Sequence, residues 1–226
     1  MAGKRVLVVA SHMDDEALGC GGAIRKHVAA GDRVWVVFIA HRKYGHKFDR
    51  KKNSIERAHA LSAQRVLGYH KAVFLGLGDE RLDACIQDII VPLEERAAVI
   101  KPQIVYVPFR QDNNQDHRAV FDACRVVFRP AATPYIEAVR MYEVASSTEQ
   151  SPALKGLVFL PNYYVDIAGF IGDKLAALEC YKTEQRKFPH PRSLKGVRVL
   201  SQKRGMEAGY KYAEAFMTIR ERWGSA

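Results

Sequence analysis

The most constraining feature of this chain is an apolar run at residues 6–10 that stops abruptly at His12 and three consecutive acidic residues, 14–16. The run is rich in valine and unbroken, which favours a strand buried on both faces, as in a parallel sheet. Three adjacent carboxylates at the exit of a buried strand repel one another unless a cation or a proton relieves the repulsion. The sequence therefore predicts a divalent metal site at the end of the first strand.

Strand-like and helix-like segments alternate along the rest of the chain. Apolar patterns predict strands at residues 5–10, 34–39, 72–75, 104–107, 138–144 and 163–167. Helical spacing predicts helices at residues 22–30, 54–67, 85–100, 116–128, 172–182, 194–208 and 212–222. We therefore predict an α/β, Rossmann-like doubly wound fold, with a mostly parallel sheet and helices on both faces. Since no repeat or low-complexity linker interrupts the alternation, we expect residues 1–226 to form a single domain.

Three polar loops each follow a predicted strand, at residues 12–16, 41–52 and 109–117. Ligands of open α/β sheets bind outside the carboxyl ends of the strands, so we expect these loops to meet at one edge. The third loop supplies three further candidates: Asp112, Asp116 and His117. Catalytic zinc usually takes three His, Asp or Glu ligands and keeps one open position. The loops together hold such a set, with another carboxylate left over as a base for metal-assisted hydrolysis.

Each polar cluster, taken alone, has a simpler explanation. An acidic run before a helix places favourable charge at the helix N-terminus, and an Asp-His pair can be a helix cap. Their joint position after two strands that share an edge favours a site. The glycines at 19, 21 and 22 lack the spacing of a dinucleotide-binding turn, and Cys20 between them is better explained as a small buried residue than as a nucleophile.

The charge balance is compatible with two kinds of protein. Thirty-five basic residues against 25 acidic ones give a net charge of +10, which serves solubility alone or attracts an anionic partner. The four cysteines lie far apart, which argues against a thiolate zinc site and favours reduced thiols in a cytoplasmic protein. We expect neither a signal peptide nor a transmembrane segment, because no apolar run approaches about 20 residues.

Two motifs resemble signatures of a known family. His-Met-Asp-Asp-Glu at residues 12–16 resembles the His-Pro-Asp-Asp-Glu signature of the LmbE/PIG-L-like zinc-dependent N-deacetylases, and residues 116–117 resemble the end of their second signature, His-x-Asp-His. The similarity extends over nearly the whole chain and looks like the glycan-modifying branch. It implies that Asp14 is the general base. It also implies three ligands for Zn²⁺, or for another divalent ion such as Fe²⁺: His12, Asp15 and His117.

The chain departs from the family pattern at two positions. Met13 replaces the usual proline, and Asn114 stands where the second signature has its first histidine, which stabilises the oxyanion or protonates the leaving group. Asparagine can donate a hydrogen bond to an oxyanion but cannot act as an acid near neutral pH. Either Asp14 then serves as both base and acid, or another residue supplies the proton. His41 and His46, after the second strand, are the nearest candidates by topology.

The remaining acidic residues of the two motifs have supporting roles in this interpretation. We expect Asp116 to orient a neighbouring catalytic group and Glu16 to hold the loop or orient a ligand. The resemblance implies a hydrolase that removes an acetyl group from an N-acetylated sugar or sugar conjugate, such as a nucleotide sugar, glycolipid or glycan precursor. The alternatives are a metal-dependent amidase acting on a thiol conjugate or antibiotic, and a non-catalytic basic nucleotide-binding α/β module.

Predictions about partners follow from charge and pattern. Arg42 and Lys43 of the basic loop are candidates to contact a phosphate on a phosphorylated or nucleotide-linked sugar. We expect no nucleic-acid partner, because no basic stripe is interleaved with aromatic residues. Peripheral membrane contact and homo-oligomerisation stay open. Phe216, Ile219 and Trp223 recur at helical spacing, which is typical of core packing and also suits an interface.

Overall fold

The predicted strands form one sheet in the computed structural model, which describes residues 3–224. The strands of this seven-stranded sheet are β1 (Arg5–Ala10), β2 (Arg33–His41), β5 (Lys71–Gly78), β6 (Ile104–Pro108), β7 (Ala138–Tyr142), β8 (Tyr163–Asp166) and β9 (Ala213–Glu221). A separate small hairpin consists of β3 (Lys43–Tyr44) and β4 (Lys47–Phe48), within the segment predicted as a polar loop. The described residues also form a short 3-10 helix (Thr148–Gln150) and six α-helices: α1 (Asp15–Ala29), α2 (Arg50–Leu67), α3 (Gln87–Ile100), α4 (Gln115–Val127), α5 (Ile171–Cys180) and α6 (Leu194–Ala208).

The strand order confirms the predicted fold class. The order is β5-β2-β1-β6-β7-β9-β8, and the first five strands pair in parallel. β9 runs antiparallel to both of its neighbours, β7 and β8. The fold is therefore a mixed, mostly parallel α/β sheet. Within residues 3–224, none of the helices is long and apolar enough to cross a bilayer.

Two apolar cores flank the sheet, and β1 contributes to both because its side chains alternate between faces. Val6 and Val8 pack in the core beneath α1, α2, α5 and α6, while Leu7 and Val9 pack in the core beneath α3 and α4. All four side chains are fully buried. Burying a valine or leucine completely contributes about 1.5–3 kcal/mol relative to leaving it exposed, so this strand is a major source of stability.

Helix α1 begins seven residues earlier than predicted, at Asp15 rather than near Gly22. The prediction was wrong because glycine lowers helix propensity, yet here the glycines lie inside the helix and allow close packing. A Cβ added to Gly19 would lie 2.2 Å from Tyr142, and one added to Gly22 would lie 2.5 Å from Ile167. Close packing therefore outweighs propensity in this helix.

The segment predicted as a C-terminal helix at residues 212–222 is a strand, β9. It lies between β7 and β8, so pairing on both edges determines its conformation. The prediction that Phe216, Ile219 and Trp223 share one face of a helix is wrong as well, because Phe216 is fully buried while the other two are exposed. Apolar residues spaced three or four apart suit a strand equally well when both faces of the sheet are covered.

Candidate active site

The candidate site lies where the direction of the sheet reverses. From β1 the chain proceeds to β2 and β5 on one side, whereas β6 and β7 lie on the other side of β1. In doubly wound sheets, the crevice at such a switch point is where ligands bind. Residues 12–16 follow β1 and residues 109–117 follow β6, so both motifs reach this crevice, as predicted.

Three donor atoms from the two motifs form a compact triangle. His12 Nδ1 lies 3.3 Å from His117 Nε2, and Asp15 Oδ2 lies 3.3 Å from His117 Nε2 and 3.5 Å from His12 Nδ1. Ligands about 2.0–2.1 Å from a tetrahedral zinc ion are about 3.3–3.4 Å apart. The triangle therefore has the size and the donor chemistry that one divalent transition-metal ion requires.

Asp15 has an unsatisfied atom at this triangle. Its Oδ2 accepts a hydrogen bond of 2.8 Å from the His12 amide, but its buried Oδ1 has no hydrogen-bond partner among the described residues. Burial raises the pKa of Asp15, but the imidazoles of His117 and His12 hold it well below its usual range. A buried carboxylate that stays ionised with a free oxygen fits a metal ligand.

Each imidazole has a carboxylate on its far side. Asp116 Oδ2 lies 3.1 Å from His12 Nε2, and Asp112 Oδ1 lies 3.2 Å from His117 Nδ1. Burial lowers the pKa of both imidazoles, but these carboxylates and Asp15 raise it to about 9 for His12 and about 10 for His117. Such carboxylates fix ring orientation and make the facing nitrogen a better ligand. The chain without metal therefore holds protons that an ion must displace.

The support behind these carboxylates was not predicted. Asp112 accepts hydrogen bonds from the hydroxyls of Ser147 and Thr148, the latter at 2.5 Å. Asp116 accepts the amides of Glu80 at 2.7 Å and Leu82 at 3.3 Å. These contacts arise from segments after β5 and β7; Ser147-Thr148 resembles a segment of the family, but we predicted no role for it. They hold both carboxylates in position toward the imidazoles.

Asp14 lies beside the triangle in a strained conformation. Its φ of 140° is rare for a residue with a side chain, and the side chain is almost fully buried in the cavity wall. Burial raises the pKa of Asp14, and the guanidinium of Arg192, whose Nη1 is 3.1 Å from Asp14 Oδ2, opposes the rise. The Asp14 carboxylate therefore lies next to the triangle of donor atoms but is not one of the three donors.

Glu16 faces away from this cavity. Its Oε1 accepts a hydrogen bond of 2.6 Å from the Tyr181 hydroxyl, while its buried Oε2 lacks a partner among residues 3–224. Burial raises the pKa of Glu16 to about 8. Its position behind the wall is compatible with the supporting role that we predicted.

Asn114 caps helix α4. Its Oδ1 accepts a hydrogen bond of 2.9 Å from the Asp116 amide, so its side-chain amide nitrogen is the atom left to face the cavity that Asn114 lines. The two histidines considered as proton donors lie elsewhere. His41 Nδ1 is bound to the Gly76 carbonyl at 2.7 Å, and His46 is exposed and paired with Glu80 at 2.8 Å. Neither histidine lines the cavity.

The cavity in front of the triangle has a volume of about 340 Å³ and a mainly polar surface. Its charged residues are Asp14, Glu56, Asp79, Glu80, Asp116, Glu184, Arg42 and Arg192. Six carboxylates therefore oppose two guanidiniums in a chain whose net charge is +10. Both guanidiniums contact Glu184, and Arg192 also contacts Asp14, so two carboxylates balance their charge within the cavity.

Proteins of similar sequence include deacetylases. A model of the PIG-L family, described as GlcNAc-PI de-N-acetylase, matches residues 7–128. The uncharacterized deacetylase YaiS of Escherichia coli (strain K12) is 28% identical over 191 residues, covering 80% of this chain and 91% of that protein. The diacetylchitobiose deacetylase of Thermococcus kodakarensis is 25% identical over 237 residues, covering 96% of this chain and 83% of that protein.

Structural similarity extends over the whole fold. The crystal structure of the conserved protein TT1542 from Thermus thermophilus superposes with a TM-score of 0.77 at 23% identity, and covers 100% of both chains. The sequence match of the family model spans more than half of this chain and includes both motifs that form the donor triangle. The chain belongs to the PIG-L (LmbE-like) family of deacetylases.

Proposed function

We propose that this protein is a metal-dependent N-deacetylase that acts on an N-acetylated, uncharged amino sugar or sugar conjugate. The observation that carries the proposal is the triangle of His12, Asp15 and His117, whose edges of 3.3–3.5 Å suit one zinc ion. Family membership supports deacetylation. Two imidazoles and a carboxylate favour Zn²⁺ and also accommodate Fe²⁺. The free, widely separated cysteines support a cytoplasmic location.

The mechanism assigns each remaining residue a task. When bound, a divalent ion acidifies the attacking water and polarises the amide carbonyl. Asp14 accepts a proton from this water, whose oxygen bonds to the carbonyl carbon. The side-chain amide of Asn114 donates a hydrogen bond to the oxyanion. Asp14 then returns the proton to the leaving nitrogen as the carbon–nitrogen bond breaks, which gives acetic acid and the amine, and these exchange a proton to become acetate and the protonated amine.

We assign Asp14 both the base and the acid role because the other three candidates, Asn114, His41 and His46, do not fit the acid role. Asn114 cannot release a proton near neutral pH, and His41 and His46 do not line the cavity. Arg192, 3.1 Å from Asp14, keeps the carboxylate oriented. One carboxylate that first takes and later gives a proton satisfies general acid–base catalysis.

The charge of the cavity supports a sugar without phosphate. Carboxylates accept hydrogen bonds from sugar hydroxyls, and the cavity has six of them. Arg42 is already paired with Glu184, and Lys43 does not line the cavity, so the phosphate contact suggested by the basic loop has little support. The similarity to a diacetylchitobiose deacetylase also supports an uncharged N-acetylated sugar.

The alternative functions have weaker support. A nucleotide-binding module would need a phosphate loop, but the glycine-rich segment lies inside α1 with Gly19 and Gly22 packed against Tyr142 and Ile167. An amidase acting on a non-sugar amide would use the same metal triangle. Substrate screening therefore separates that alternative from deacetylation of a sugar.

The decisive experiment measures acetate release and metal content together. We expect N,N'-diacetylchitobiose or a related N-acetyl sugar to be cleaved with added Zn²⁺ and not with a chelator. UDP-N-acetylglucosamine, N-acetylcysteine conjugates and N-acetylated antibiotics test the other substrate classes. Cleavage of only a non-sugar amide would contradict the sugar assignment. Absence of bound metal from carefully purified protein would contradict the mechanism.

Asp14→Asn tests the proposed base. We expect acetate release to fall by about 10²–10⁴-fold, the range for general acid–base catalysis, while metal content stays near one ion per chain. Asp122→Asn, at an exposed position on α4, is the control and should leave both measurements unchanged. Full activity in Asp14→Asn would exclude Asp14 as the base.

A further inference from the structure

A second cavity of about 240 Å³ adjoins the active-site cavity. The two cavities share Asp14, Glu184 and Arg192 as a common wall. The second cavity lies beneath the segment that joins α5 to α6, so it is on the opposite side of Asp14 from the polar cavity that we assign to the sugar. We call it the acyl chamber.

The surface of the acyl chamber is mainly apolar. Its apolar lining residues are Leu18, Leu178, Tyr181, Phe188 and Leu194. These apolar side chains come from α1, from α5 and the segment after it, and from the start of α6. The segment between α5 and α6 also supplies most of the polar lining: Glu184, Gln185, Arg186, Arg192 and Ser193. An apolar cavity of about 150 Å³ is large enough for a benzene ring, so this chamber has room for more than a methyl group.

The chemistry of an N-acyl amine matches the two cavities. The carbonyl carbon that water attacks carries a polar amine component on one side and an apolar acyl chain on the other. Asp14, the proposed base, lies between a polar cavity and an apolar one. We propose that the acyl chamber receives the acyl chain, so that the enzyme hydrolyses N-acyl groups longer than acetyl. This inference rests on the proposed function of the same site.

The wall between the cavities is formed by paired side chains. Arg192 Nη1 lies 3.1 Å from Asp14 Oδ2 and 3.3 Å from Glu184 Oε2, and Arg192 Nε donates to Ser146 Oγ at 2.6 Å. Separating Arg192 from Asp14 would leave the buried Asp14 carboxylate without this partner, although Arg192 would keep Glu184. An acyl chain that enters the chamber must therefore pass beside the contact between Asp14 and Arg192 and leave it intact.

Chain length gives the inference a quantitative test. Each buried methylene contributes about 0.8 kcal/mol, which is about fourfold in a binding constant. We propose kinetics with glucosamine carrying N-acetyl, N-butanoyl or N-hexanoyl groups, measured by release of the common product glucosamine. We expect the N-hexanoyl substrate to have a kcat/KM at least equal to that of the N-acetyl substrate. If the acetyl substrate is cleaved and the hexanoyl value is lower than the acetyl value, the inference is overturned while the proposed function stands.

A variant that fills the chamber links chain length to this cavity. Leu194→Trp should lower the ratio of hexanoyl to acetyl kcat/KM by at least tenfold. Val199→Trp, at an exposed position of the same helix that does not line the chamber, should leave the ratio unchanged. If Leu194→Trp does not fold, as judged by circular dichroism, Gln185→Trp fills the chamber from an exposed position on its other side. An unchanged ratio in a folded, filled variant overturns the inference.

A second substrate series tests whether the aglycone, rather than the acyl chain, occupies the acyl chamber. N-acetylglucosamine with methyl, butyl or octyl aglycones keeps the acyl group constant. Filling the chamber should not alter the preference within this series. If it instead selects against the octyl aglycone, the chamber holds the amine side of the substrate and the inference is wrong. If none of the N-acyl substrates in either series is cleaved, the proposed function is refuted instead.

Discussion

Helix α1 contacts two groups of buried charges that are built in opposite ways. In the middle of the helix, Lys174 and Glu214 form an ion pair with a separation of 2.5 Å, and both side chains are buried. Glu214 also accepts the amides of Gly22 at 2.8 Å and Ala23 at 2.7 Å. Lys174 donates to the Leu18 carbonyl at 2.6 Å. In this group, opposite charges and backbone partners satisfy one another.

The first turn of the same helix has the opposite arrangement. Asp14, Asp15 and Glu16 place three carboxylates side by side, and one oxygen each of Asp15 and Glu16 is buried with no partner among the described residues. Burying a charge is expensive unless it is paired and hydrogen-bonded. Burial of charge by itself therefore does not identify a functional site, because the central pair is buried as deeply. The unsatisfied Oδ1 of Asp15, beside His12 and His117, distinguishes the end of the helix where we propose that a cation binds.

The largest expected effect comes from Asp15→Asn, which removes the charge that makes the open site attractive to a cation. We expect metal content to fall from about one ion per chain to near zero and acetate release to be lost with it. The metal-free variant should be less stable than metal-free wild type, because His12 and His117 lose the carboxylate that stabilises their protonated forms. Elemental mass spectrometry and urea unfolding measure both outcomes. Retention of a full metal ion would refute the distinction between the two groups.

Glu214→Ala should have the next largest effect, because it removes one partner of the buried Lys174–Glu214 ion pair. Lys174 would be left buried without a counter-ion, and the free energy of unfolding should fall by about 3–5 kcal/mol. Metal content of the folded fraction should not change. Asp173→Ala is a matched control, since Asp173 precedes Lys174 and pairs with Arg25 of α1 at the surface. That change should cost less than about 1 kcal/mol.

Removing both partners tests whether the cost comes from an orphaned charge. In the double variant Lys174→Met, Glu214→Leu, the Leu18 carbonyl and the Gly22 amide are four residues apart and can bond to each other within α1. We expect the double variant to be more stable than Glu214→Ala, as urea unfolding will measure. If the double variant is less stable than Glu214→Ala, the pair contributes more than mutual neutralisation.

The smallest of these effects concerns the glycines of α1, which allow neighbouring elements to pack closely near the Lys174–Glu214 ion pair. Gly22→Ala would place a Cβ 2.5 Å from Ile167, and overpacking of this kind costs about 1–3 kcal/mol. Gly172→Ala, near the start of α5, meets nothing within 4 Å and should be neutral or stabilising by less than about 1 kcal/mol. Thermal unfolding of the two variants measures the difference. Equal melting temperatures would show that α1 tolerates a wider separation from its neighbours.

The sequence was informative where chemistry and pattern coincide. The parallel strands were predictable because buried strands leave continuous apolar runs, as in β1 and β2. The approach of His12 to His117 was predictable because each follows such a strand, and carboxyl ends of parallel strands share an edge. The family resemblance then selected Asp15 from three neighbouring acids. The roles of these residues remain predictions until metal is measured.

Other elements depend on tertiary contacts that leave no local pattern. Glu214 interrupts the apolar run of β9, yet it is buried because it binds α1, so the segment was mistaken for an amphipathic helix. The glycines of α1 suggested a turn because their packing partners, such as Tyr142, are remote in sequence. Arg192 and Glu184 come from an irregular segment without periodicity. Their part in the cavity could be found only from the folded chain.

The contact between Glu214 and α1 also orders events during synthesis. The carboxylate that accepts the Gly22 amide is encoded 192 residues after that amide. At translation rates of about 5–20 residues per second, Glu214 is synthesised about 10–40 s after the Gly22 amide that it accepts. Until then, the amides of Gly22 and Ala23 and the segment that will contain Lys174 lack Glu214. A ribosome-bound chain that stops before β9 should therefore expose an incomplete α1 to chaperones and proteases.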